Sequence, residues 1–310
     1  MKDKMPYFNS RALFNGIAMS YIFYTCGSGF WISEILGTIL GVIVLIMVKK
    51  TNSNHFVRAF VGFVLSLLSV IVLINLGHTL YLRETPVFIL AVFPIIGAFI
   101  ISNSKEIPLK RTVHVLFIYS IFLFLLKIWG LYSHIKIDNL LPIYNLDIKS
   151  ILWGSITYMS VGIVPVLGLN KIDDKKNIIF DYLVASLTIF TVSFLAASVL
   201  GINEVKLYRY PEYVVLKRIG FLNFINNVDS FFNFAIIIDL LFTASQGFKT
   251  FNVFDKPFKY FLVATIGILS ICICSNSAKL LYVYYLLPII FIILLFLTIV
   301  HKKSKYKTTD

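Results

Sequence analysis

The chain has 310 residues, 58% apolar and 16% aromatic, with only 14% charged and a net charge of +13. Ordinary soluble domains carry about a quarter charged residues, so this balance excludes a water-soluble domain. It also excludes nucleic acid as a partner, because the basic residues sit in short loops between apolar runs, as insertion into a lipid bilayer requires.

Apolar runs of about 20 residues predict ten transmembrane spans, at 12–26, 31–48, 56–82, 86–101, 112–132, 148–169, 178–200, 227–248, 258–274 and 280–300. Residues Met1 to Ser10 read as a polar, basic start. The first apolar run begins near Arg11 and lacks a small-residue cleavage site, so it reads as a span rather than a signal peptide. It holds Gly16, Ser20, Tyr21 and Tyr24, and Gly27-Ser28-Gly29 follows at once. Span three contains Asn75 and His78, three residues apart on one helix face. Span five contains Lys127, about 8 Å from the outer end at 1.5 Å per residue, and the expectation is that its amine snorkels outward. Span six carries Tyr158, and Ser160, Gly162 and Pro165 predict a break in its middle. Tyr21, Tyr24, Tyr158 and Ser160 would line a small cavity between spans one and six.

After span seven, Arg209-Tyr210-Pro211 opens a stretch of mixed polarity. Proline favours a helix start, so 211–222 reads as a short helix lying at the membrane surface. Asp229 and Asp239 then enter span eight. Asp239 lies deep in the bilayer, where a carboxylate must face the bundle interior, a hydrogen-bonding neighbour or an ion. Cys26, Cys272 and Cys274 have no metal-like spacing and read as buried small residues. With ten spans and both termini in the cytoplasm, the inner loops hold most of the lysine and arginine, including Lys49, Lys50, Lys105, Lys110 and Arg111.

Several short motifs recur in a familiar order: Arg83-Glu84-Thr85-Pro86 opening a span, Asn139-Leu140-Leu141-Pro142 before another, then Tyr210-Pro211, Lys217-Arg218-Ile219 and Phe224-Ile225-Asn226-Asn227-Val228-Asp229. They resemble the endospore germination permease family, the B subunit of germinant receptors. Asp229 stands where that family usually has Glu, and Asn75 where it usually has an acidic residue. The resemblance implies the amino acid–polyamine–organocation superfamily, an all-α membrane fold with a five-plus-five inverted repeat (LeuT-like) and broken helices one and six. It implies a small germinant, an amino acid or similar, bound between those helices by Gly16, Ser20, Tyr21, Tyr24, Asn75, Tyr158, Ser160 and Gly162. Asp239, Asp229 and Lys127 are the candidates for ion binding or coupling; proton-coupled relatives place a lysine in span five. The implied partners are the receptor's A subunit and its lipoprotein C subunit, the implied location is the spore inner membrane, and no cofactor or metal is expected.

Two other readings stay open: a secondary amino acid transporter of the same fold, and a membrane glycan polymerase or acyltransferase. No nucleophile motif, phosphate loop or His-Glu-x-x-His pattern stands out, so an enzyme is not expected.

Overall fold

The computed structural model describes residues 4–47, 55–141, 147–169, 175–218, 229–276, 286 and 288–299, and every regular element among them is helical. Seven helical runs are long and apolar enough to cross a membrane, and Val87–Ser102 and Pro288–Ile299 are shorter apolar helices. Large apolar side chains such as Ile46, Phe93, Phe122 and Phe296 point outward and are exposed. A surface of that kind belongs in lipid, and the chain is a multi-pass membrane protein.

The first span is made of α1 (Met5–Leu13) and α2 (Met19–Cys26), joined by a wide π turn over Phe14–Ala18. It starts earlier than hydropathy predicts: every residue of α1 is buried. Lys4, Asn9, Ser10 and Arg11 lower the hydropathy of this stretch, but each finds a polar partner in the bundle. Lys4 Nζ lies 2.5 Å from Asp181 Oδ1, Ser10 Oγ donates to the Gly162 carbonyl at 3.0 Å, and Thr243 Oγ1 donates to Asn9 Oδ1 at 3.3 Å. Partners of this kind make a buried polar group tolerable.

α2 ends at Gly27, whose φ of 54° is a conformation that glycine adopts without strain. The turn Gly27–Gly29 leads into α3 (Phe30–Met47). α1, α2 and α3 all pack on α7 (Ile148–Leu169). A straight helix from Met5 to Met47 would be about 65 Å long, nearly twice α7, so the chain doubles back at Gly27.

The remaining helices are α4 (His55–Leu76), α5 (Val87–Ser102), α6 (Glu106–Leu131), α8 (Lys175–Leu200), α9 (Ile202–Val205), α10 (Pro211–Leu216), α11 (Asp229–Thr250), α12 (Lys256–Cys274) and α13 (Pro288–Ile299). α4 and α11 form the most extensive helix pair. Their backbones meet at Gly62 and Gly247: a Cβ on Gly247 would overlap Ser66 Oγ, and one on Gly62 would overlap Thr250 Oγ1. Lipid gives no hydrophobic drive between helices, so close approach through small residues takes its place. Around this pair, α5 packs on α11 and α12 on α4; α1 packs on α11 and α7 on α4; α3 packs on α7 and α8 on α1.

Two expected features differ. α7 is one α-helix through Ser160, Gly162 and Pro165 rather than a broken one. Pro165 removes only the bond to the Val161 carbonyl, and Ser160 Oγ folds back onto the Ile156 carbonyl at 2.7 Å. The helix is also anchored at its start, where Asp147 accepts from Ser150 Oγ at 2.6 Å and from the Lys149 N–H at 3.1 Å. Those donors hold the Asp147 carboxyl below the usual carboxylate range. The second difference is α10. The expected surface helix is buried at Pro211, Glu212, Tyr213, Val215 and Leu216, because Glu212 has charged and polar partners inside. Residues 219–222 of that stretch lie outside the described residues, as do 280–285, 287 and 300 of the tenth predicted span.

Candidate functional site

Tyr7, Arg11 and Asn15 are spaced four apart and share one face of the first span. That face meets α6, α8, α10 and α11 around a cavity of about 20 Å³, room for one water molecule. Arg11 grips Asp239 of α11 with two prongs, Nε to Oδ2 at 2.6 Å and Nη2 to Oδ1 at 2.8 Å, the strongest geometry open to a guanidinium and a carboxylate. Arg11 Nη1 also donates to the Tyr7 hydroxyl at 2.5 Å, and that hydroxyl is hydrogen-bonded to Ser120 Oγ of α6 at 3.0 Å. The guanidinium lies 4.8 Å from the Tyr7 ring centroid and 5.8 Å from that of Phe8, so aromatic faces supply further attraction.

A second ion pair lines the same cavity. Lys127 Nζ of α6 donates to Glu212 Oε1, and Asn15 Nδ2 donates to Glu212 Oε2. Lys127, Glu212 and Asp239 are 8%, 4% and 1% exposed. A charge at this depth is costly alone, and each one here has an opposite partner. Beyond the Lys127–Glu212 pair, toward the C-terminal ends of α6 and α8, is a smaller cavity of about 10 Å³ lined by Leu131, Leu195, Val215 and Leu216. Lys127, Glu212 and Val192 line both cavities, so the ion pair stands as a partition between them.

Two of the residues singled out in the sequence are therefore in this cluster. Asp239 faces the bundle interior, with Arg11 as its partner. Lys127 does not snorkel outward, because α10 carries a carboxylate in to meet it. Asp229 is the first residue of α11, and its side chain lies outside the described residues. The others are placed elsewhere. Gly16 faces Val72 and Leu240. The Tyr158 ring stacks on Phe14 with centroids 4.2 Å apart, and its hydroxyl meets Ser186 Oγ at 3.1 Å. A Cβ on Gly162 would overlap that same Phe14 ring. Ser20 Oγ returns to the Ile17 carbonyl at 3.2 Å, Tyr21 accepts from Trp153 Nε1 at 2.9 Å, and Tyr24 is exposed. Asn75 donates to the hydroxyl of Tyr210, the residue before α10, at 2.8 Å.

Arg11, Asn15 and Glu212 were missed by sequence reasoning. The four-residue spacing of Tyr7, Arg11 and Asn15 was available, but Arg11 looked like the basic flank of a span. Nothing in the sequence around Glu212 announces that it turns inward.

No family model matches the chain. Over 160 residues it is 28% identical to a protein of Bacillus subtilis (strain 168) described as "Putative spore germination protein YfkT". The chain is a distant relative of that germination protein. The match covers 50% of this chain and 44% of the relative, less than half of the relative's length. The likeness to a spore germination protein thus extends over half the chain.

Proposed function

We propose that the chain is the permease-like subunit of a spore germinant receptor, and that the cavity beside α1 takes the charged end of a small germinant, an amino acid or similar. One observation carries this reading: two cations and two carboxylates meet at a single buried cavity. An amino acid brings one charge of each sign. Its carboxylate suits Arg11 or Lys127, its ammonium suits Asp239 or Glu212, and it can enter between a pair without leaving any buried charge alone. The cavity has room for one water molecule only, so binding requires Glu212 to withdraw, and α10 with it. The ligand then favours the withdrawn form over the closed one, and the A subunit and lipoprotein C subunit read the change. The likeness to a Bacillus protein described as a spore germination protein supports the germination setting. On this reading the chain catalyses nothing, carries no cofactor, keeps both termini in the cytoplasm and works in the spore inner membrane.

Helix packing supports a ten-span, five-plus-five LeuT-like repeat. Take α1 with α2 as span one, α7 as span six and α11 as span eight. Exchanging each span for the one five later turns α5 on α11 into α12 on α4, α1 on α11 into α7 on α4, and α3 on α7 into α8 on α1, all of which occur. The Phe14–Tyr158 stack closes the contact of spans one and six in this conformation, so the ligand reading rests on Lys127 and Asp239 rather than on Gly16, Ser20, Tyr21, Tyr24, Asn75, Tyr158, Ser160 and Gly162.

The test is thermal shift and calorimetry across amino acids, nucleosides and simple sugars, with the purified chain and with the chain co-purified with its A and C partners. One ligand class should stabilise the protein, and the double variant Arg11→Met with Asp239→Leu should abolish the effect while keeping the fold. No response in either preparation would refute the reading. A second reading, a secondary amino acid transporter, is favoured by the two cavities on either side of the Lys127–Glu212 partition. It requires substrate flux in proteoliposomes containing this chain alone.

A further inference from the structure

Glu34 of α3 is an acid in a different environment. It is 1% exposed. Its Oε1 accepts from Ser193 Oγ of α8 at 2.7 Å, and its buried Oε2 has no hydrogen-bond partner. Among the described residues no lysine, arginine or histidine forms an ion pair with it. Among the described residues, the groups that face it from the helices packed on α3 are neutral: Ser193 from α8, Tyr158 from α7 and Cys26 from α2, with the Ser186 and Tyr182 hydroxyls of α8 lying further along the same helix pair. On its own helix, Thr38 Oγ1 donates to the Glu34 carbonyl at 2.7 Å and also meets Ser186 Oγ.

An ionised carboxylate here would stand in the membrane bundle with one hydroxyl donor and no counter-charge. A group so placed takes up a proton instead. We propose that Glu34 is a proton-binding site in the seam between α3 and α8, protonated in this conformation and releasing its proton when the seam opens to water. In that step the carboxyl O–H bond breaks, the proton passes to water as hydronium, and the carboxylate keeps the electron pair. The seam is suited to opening because the polar contacts across it among the described residues are hydroxyl bonds, Ser193 to Glu34, Thr38 to Ser186 and Tyr182 to the Gly37 carbonyl, and water can replace each of them. The closed form binds the extra proton, so low pH favours it and high pH favours the open form. This site is separate from the cavity beside α1 and does not depend on what that cavity binds.

The experiment is infrared spectroscopy of the purified chain in lipid nanodiscs. At neutral pH a protonated-carboxyl C=O band should be present. It should be absent in Glu34→Gln, retained in Glu212→Gln, shifted to higher frequency in Ser193→Ala, where its one donor is removed, and unmoved by added sodium at constant pH. Should Glu34→Gln fail to fold, the Ser193→Ala shift still decides, because that variant leaves the acid in place. The proposal is overturned by a carboxyl band that neither variant removes or shifts, or by the absence of any such band. It is equally overturned if sodium removes the band, which would make Glu34 a sodium site.

Discussion

The cavity beside α1 and the seam beside α3 bury acids to the same depth by opposite means. At the cavity, Asp239 and Glu212 each face a cation, Arg11 and Lys127, while Asn15 donates to Glu212 and the Tyr7 hydroxyl accepts from Arg11. At the seam, Glu34 has one serine hydroxyl and, among the described residues, no cation. The first arrangement keeps its charges and depends on every member staying in place. The second depends on having no charge at all. Charge count alone therefore does not identify a functional acid in a membrane bundle; the partner does.

Substitutions can break or sharpen this contrast. The largest effect is expected from Asp239→Asn, which leaves Arg11 charged and buried without its counter-ion. It should cost about 3–5 kcal/mol, and the double variant Arg11→Met with Asp239→Leu should recover most of that, both read by thermal unfolding in detergent or nanodiscs. Equal costs for Asp239→Asn and its isosteric counterpart Glu34→Gln would erase the distinction. Next comes Gly162→Ala, whose methyl would meet the Phe14 ring. Overpacking of this kind costs about 1–3 kcal/mol, and Phe14→Leu in the same chain should restore part of it. Asn75→Ala removes the bond to Tyr210 beside α10 and should lower stability by about 1 kcal/mol, with faster hydrogen exchange at 211–216. The smallest effect belongs to Glu34→Gln. The amide oxygen still accepts from Ser193, so at neutral pH the change should stay under about 1 kcal/mol, measured as the shift in unfolding midpoint.

The apolar spans were legible because lipid imposes long unbroken runs, and α3, α4, α6, α7, α8 and α12 lie over those runs. The start of the first span was not. Arg11, Asn9 and Lys4 carry the hydropathy of a loop, and only their distant partners Asp239, Thr243 and Asp181 make them interior residues. α7 misled in the other direction. Ser160, Gly162 and Pro165 look like a break, but the serine bonds within its own helix and the glycine admits the Phe14 ring. The candidate site was half legible. Asp239 and Lys127 stood out as charges inside apolar runs, but Glu212 lay in a polar stretch where an acid is unremarked. Local polarity says that a residue needs a partner. It does not say where along the chain that partner lies.

The wide turn at Phe14–Ala18 sets the azimuth of everything before it. A π turn holds one residue more than an α turn, and each residue of an α-helix advances the wheel by about 100°. Winding the same five residues, 14–18, as regular α-helix would rotate α1 by about that angle relative to α2. Arg11 would then swing away from Asp239 and Lys4 away from Asp181, although neither residue had been changed. The wide winding of those five positions fixes the phase at which the first span presents its cations to the rest of the bundle.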